Sequence, residues 1–112
     1  MNLETRKSLF DIVDSAREIK EYTNGLDFPD FQGNRMVQAA VERKFEIIGE
    51  ALNRIGHSNP DILKRISDYQ RIIGFRNVIA HGYDRVDVEV VWEAARDYLP
   101  TLAREAEELL NS

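Results

Sequence analysis

The chain contains no cysteine, which removes disulfide scaffolds, thiolate metal sites and cysteine nucleophiles at once. Glycine and proline are scarce, at 6 and 3 in 112 residues, too few for the turns of a barrel or sandwich of short strands. The two histidines stand far apart, at positions 57 and 81, so a histidine-built metal site is not expected, nor any cofactor. No apolar run approaches the ~18 residues of a membrane span. The opening Met1-Asn2-Leu3-Glu4-Thr5-Arg6 has no secretory apolar stretch. What is present is 43% hydrophobic and 31% charged, too apolar for disorder. These limits predict a single cytoplasmic domain over residues 1–112 with no membrane partner.

Charge is also uneven. The formal net charge is −5, which argues against a general nucleic-acid binder. Residues 60–85 nevertheless hold Lys64, Arg65, Arg71, Arg76 and Arg85 against Asp61, Asp68 and Asp84. A local basic face on an acidic protein is compatible with that distribution.

The apolar periodicity is helical throughout. Leu9, Ile12, Val13, Ala16 and Ile19 recur at three- and four-residue steps and predict a helix from Leu3 to a stop at Asn24-Gly25. Residues 26–33 read as a loop carrying Phe28 and Phe31, aromatics that can cap the core. A second long helix is predicted from Asn34 to Ile55, with Gly56 as its stop and Lys44 snorkelling out of its apolar arc. His57 then reads as a solvated loop residue. Asn59-Pro60 opens a short helix through Ile66. Ser67 or Asp68 caps a fourth helix over Tyr69–Ala80, and Gly82 stops it. Asp87 caps a final long helix, with Trp92 and Tyr98 on its buried stripe, kinked or opened by Pro100. Glu105, Glu107 and Glu108 read as its solvated face. The expected fold is all-α, an antiparallel four- or five-helix bundle.

The fourth helix breaks the amphipathic rule. With Ile72 at 0° and about 100° per residue, Phe75, Val78 and Ile79 fall to one side and Ile73 to the other. An arc that wide calls for cover on two sides, most simply a second subunit. Arg76 falls inside it. A guanidinium among apolar neighbours either snorkels or pairs with a carboxylate such as Glu50, or else it is aimed at a phosphate. His81 follows Asn77 by one turn, so the amide can orient the imidazole. Read alone, His81-Gly82 is also an ordinary helix end with Tyr83 packed under the turn.

Residues 74–84 run Gly-Phe-Arg-Asn-Val-Ile-Ala-His-Gly-Tyr-Asp. This resembles the Arg-x4-His-x-Tyr signature of the HepT-like toxins, a branch of the HEPN superfamily. Ala40-Val41-Glu42-Arg43 with Ile47-Ile48-Gly49-Glu50-Ala51 is similar to that family's second-helix block. Val86-Asp87, Val91-Trp92 and Leu99-Pro100 are similar to its C-terminal block. Tyr69 stands where a Trp is usual, and Lys44 where Asn is common. The resemblance implies a homodimer in which two Arg-x4-His segments meet in one cleft. It implies metal-independent endoribonuclease activity, with Arg76 and His81 catalytic, Asn77 supporting, and Tyr83 contacting RNA. It also implies a minimal nucleotidyltransferase antitoxin as partner, which in some members transfers AMP to the signature tyrosine. The alternatives are a non-cleaving nucleotide- or RNA-binding module that serves as AMP acceptor, and a purely structural adaptor.

Overall fold

Four long helical segments and two short helices follow one another in the computed structural model, which describes residues 1–80 and 87–112, with the backbone alone at 76–80. Helix α1 (Leu3–Thr23) begins where the Asn2 side chain accepts from the Thr5 N–H at 2.8 Å, a standard N-cap. It stops at Asn24-Gly25 as expected, and Gly25 takes φ +79°, a conformation that costs glycine nothing. Helix α3 (Arg35–Ser58) lies antiparallel on α1. Thr5 meets Ser58 at 2.9 Å, Asp11 meets Arg54 at 3.0 Å, and Glu18 meets Lys44 at 2.9 Å. Helix α7 (Leu99–Leu110) flanks α1 on another side, and Arg6 Nη1 donates to the Leu110 carbonyl at 3.3 Å.

The stripes read from periodicity converge in one core. Leu9, Ile12 and Ile19 from α1, Val41, Phe45, Ile48 and Leu52 from α3, and Leu102 and Ala106 from α7 are all essentially excluded from solvent. Each large one stabilises the fold by about 1.5–3 kcal/mol relative to exposure. The buried face of α1 is wider than its apolar stripe at Ser8 and Ser15 and longer than it at Thr5 and Thr23, all four of which are buried. Their hydroxyls are engaged where the bonds are seen. Thr23 donates to the Ile19 carbonyl at 3.0 Å, and Ser8 accepts from Arg54 Nε at 3.2 Å. Small hydroxyl side chains let two helices approach closely without stranding a polar group.

Several sequence expectations need correction. Residues 26–33 are not a plain loop, since helix α2 (Phe28–Gln32) occupies the middle. Asp27 and Asp30 close it reciprocally, each carboxylate accepting the other's backbone N–H. The aromatic cap does hold: Phe31 is buried 5.1 Å from the Trp92 ring, and Phe28 lies 6.3 Å from it. Gly56 does not end α3, which runs on to Ser58 and is stopped by Asn59. Gly56 is a packing position instead, because a Cβ there would stand 3.1 Å from Leu63 Cδ2. His57 is accordingly an exposed residue of the last turn of α3, not of a loop. Helix α4 (Pro60–Leu63) is shorter than predicted. Beyond it Arg65 and Ile66 donate to the carbonyls three residues back, a tighter winding that still buries Ile66.

Asp87 caps α6 (Val88–Glu93) as predicted, accepting from the Glu89 N–H at 2.9 Å. The effect of Pro100 appears just before it, as a π-helical turn over Ala94–Tyr98. Pro100 has no N–H for the Arg96 carbonyl, and its ring would collide with that carbonyl in a regular helix. The wider turn, in which the Leu99 N–H reaches the Ala94 carbonyl, absorbs the conflict without ending the stripe.

Lys44 does more than snorkel. Its ammonium is held 2.9 Å from Glu18, and the Tyr22 hydroxyl donates to the same carboxylate. The hydrogen bond from Lys44 is the main reason that the Glu18 carboxyl is held below, and the Lys44 ammonium above, their ordinary values. A depressed carboxylate contributes stability above its unfolded value of about 4.3 and loses it as pH falls through the lower folded value. Lys44→Met is therefore expected to raise the Glu18 titration midpoint, read by NMR. The stability gap between parent and variant should close on acidification. A Glu18 midpoint that does not move removes the pair from the account.

Candidate active site

The signature begins on helix α5 (Tyr69–Ala80), as the sequence predicts. Its start is held from outside. The Ser67 N–H and hydroxyl donate to the two carboxylate oxygens of Glu105 at 3.1 and 2.9 Å, so Glu105 is a tether and not simply part of a solvated face. Asp68 takes φ +58°, a left-handed conformation that Asp tolerates better than most residues. Its carbonyl accepts the first helical N–H groups, from Arg71 and Ile72.

Three side chains then lock α5 in place. Ile72 is buried. Phe75 meets Phe45 of α3 edge-on at 5.1 Å, a favoured aromatic geometry. Arg71 donates to the Tyr98 hydroxyl and lies 5.0 Å over that ring. The helix that bears the signature is thus fixed by α3, by the π turn and, at its start, by α7.

Arg76 and Asn77 occupy backbone positions on α5, one turn beyond Ile72 and Ile73. Their side chains lie outside the described residues, as do those of Val78 and Ile79. His81, Gly82 and Tyr83 lie outside entirely, and with them the expected stop at Gly82 and the pairing of Arg76 with Glu50. On the neighbouring α3, Arg43 bridges Glu46 at 3.1 Å and approaches Glu50 at 3.9 Å. The Glu42 carboxyl is pushed up, chiefly by burial and further by Glu46. Sequence periodicity did not single out Glu42, since its partial burial comes from the tertiary fold. Among the described residues, no cluster of three or more His, Asp or Glu is placed to hold a metal ion, and no helix is long and apolar enough to cross a membrane.

The family described as ribonuclease HepT-like matches residues 12–109. A protein of Thermococcus cleftensis named a probable ribonuclease HepT is 34% identical over 104 residues, covering 90% of this chain and 91% of that one. A Methanocaldococcus jannaschii protein provisionally named an RNase is 30% identical over 104 residues, covering 93% and 94%. Another provisionally named RNase, from Caldanaerobacter subterraneus, is 27% identical over 105 residues, covering 94% and 93%. No solved structure gives a significant match. The family match takes in the second half of α1, the whole of α5 and the elements packed around it; the described residues form an all-helical bundle, and so this chain belongs to the HepT-like ribonucleases of the HEPN type.

Proposed function

We propose that the protein is the toxin of a toxin–antitoxin pair and acts as a metal-independent endoribonuclease at an Arg76/His81 cleft shared by two copies. One observation carries the reading: the Arg76-x4-His81-x-Tyr83 signature begins on an anchored helix in a chain of a ribonuclease family. The chemistry suits those residues. RNA brings its own nucleophile, so no serine or cysteine is required. One imidazole takes the 2′-hydroxyl proton, the oxygen attacks the adjacent phosphorus, and the bond to the 5′-oxygen breaks. A second imidazole protonates that leaving oxygen, leaving a 2′,3′-cyclic phosphate and a 5′-hydroxyl. Histidine titrates near neutrality and can serve both steps. A dimer supplies two of them, and the wide apolar arc of the α5 sequence gives such a dimer its surface. Arg76 offsets the charge on the phosphorane-like transition state, and Asn77 orients His81.

Tyr83 contacts the RNA and is the acceptor through which the partner silences the toxin. A minimal nucleotidyltransferase transfers AMP from ATP to the phenol oxygen, releasing pyrophosphate. The bulky anionic adduct then repels the substrate's phosphates.

The test uses protein whose intact mass shows unmodified Tyr83, incubated with total RNA in EDTA beside His81→Ala. Cleavage by the parent alone, with 2′,3′-cyclic phosphate ends, is the expected result. A folded, unmodified, dimeric protein that leaves RNA intact overturns the nuclease reading. That outcome favours the second reading, a non-cleaving AMP acceptor, which the net charge of −5 supports because a nuclease profits from a basic approach surface.

A further inference from the structure

Between α5 and the segment formed by α6 and the π turn lies a cavity of about 340 Å³. Phe75 and Tyr98 line it, and Val90, 46% exposed, stands at its edge. Two polar side chains of opposite charge also line it, Arg71 from α5 and the exposed Glu93 from α6. Gly74 leaves it open, since a Cβ built there would meet nothing within 4 Å. None of these residues belongs to the signature. Yet Arg71, Gly74 and Phe75 precede Arg76 on the same helix, within about 8 Å along its axis. That is the reach of a nucleotide next to the phosphate which Arg76 would hold.

We infer that this cavity is a base subsite that takes an unstacked guanine of the RNA beside the cut, an assignment that rests on the ribonuclease reading above. Single-stranded RNA is read by splaying a base onto aromatic or guanidinium planes and bonding its edges. Phe75 and Tyr98 supply the planes, which leaves the Arg71 fork for the edge. The edge chemistry selects the base. Guanine presents two adjacent N–H donors, N1–H and the 2-amino group, which a carboxylate such as Glu93 accepts together. Its O6 and N7 remain for a guanidinium. Adenine and cytosine pair one amino group with a ring nitrogen acceptor, which a carboxylate repels, and uracil sets one N–H between two carbonyls. Arg71 keeps donors to spare after bonding Tyr98, having five N–H groups.

The test is binding of the four nucleoside monophosphates to the parent, Glu93→Gln and Gly74→Leu, together with sequencing of ends cut from random RNA. GMP is expected to bind about tenfold more tightly than the other three, and Glu93→Gln should erase that ratio. Gly74→Leu should abolish binding of all four with no loss in melting temperature, because leucine is the better helix former. Guanine should be enriched at one position beside the parent's cuts and not beside those of Glu93→Gln. Equal binding of the four nucleotides, or a guanine preference that survives Glu93→Gln, overturns the subsite. A change in oligomeric state on Gly74→Leu also overturns it, since a second copy then fills the cavity. If the parent cuts RNA without base bias, the nuclease reading stands and the subsite falls. If it discriminates GMP but cuts nothing, the subsite stands and the nuclease reading falls.

Discussion

Arg76→Ala is expected to slow RNA cleavage by about 10²- to 10³-fold, the loss seen when one preorganised donor to a developing oxyanion is removed. The position makes this a sharp test. On the helical wheel position 76 falls between Ile72 and Ile73, residues that contribute to the core or pack against it. A cation in such a neighbourhood is costly unless something anionic repays it. If the anion is a substrate phosphate, the empty protein gains stability or stays even when the charge is removed, and only the rate collapses. If the anion is a carboxylate of the protein, the melting temperature falls and the rate follows only through folding. Arg76→Lys separates charge from geometry. A lysine restores a point charge without the planar fork, so partial recovery of rate is expected. Single-turnover cleavage in EDTA beside thermal melting reads both quantities. A rate unchanged in Arg76→Ala, with the fold intact, removes the arginine from the chemistry.

The elements most readable from sequence were those in which one physical effect dominates. The apolar stripes of α1, α3 and α7, the caps at Asn59 and Asp87 and the span of α5 all follow from local periodicity and capping chemistry. What escaped that reading depends on partners distant in sequence. Gly56 looks like a stop, yet α3 runs through it and a Cβ there would crowd Leu63. Thr5 and Ser58 bond each other across α1 and α3, a pairing that no local pattern signals. Glu105 looks like surface charge, yet it holds the turn before α5. Helix α2 escaped because five residues are too few to show a period, and its reciprocal caps are both aspartates. At the candidate site the ordering differs. The Arg-x4-His-x-Tyr spacing is legible at once, whereas the cavity before it, formed by Arg71 and Gly74 of α5 with Glu93 of α6, has no linear signature.

The second large effect is expected at Phe45. Its ring is 1% exposed and meets Phe75 edge-on at 5.1 Å, so it belongs to the core and to the seat of the signature helix together. Phe45→Ala should cost about 3–5 kcal/mol, combining lost transfer energy with the cavity left behind. Denaturant unfolding measures this directly, and a loss below about 1 kcal/mol would show that α5 does not depend on this contact. The comparison with Ile12→Ala carries the functional point. Ile12 is fully buried on α1, outside the seat of α5, and its truncation should cost a similar few kcal/mol. Under conditions where both variants remain folded, Ile12→Ala should cut RNA at the parental rate. Phe45→Ala should cut more slowly, because a loosened α5 no longer holds Arg76 in position. Equal cleavage by the two variants would mean that α5 is placed by its other anchors, Ile72, Arg71–Tyr98 and Ser67–Glu105, and that the aromatic pair serves stability alone.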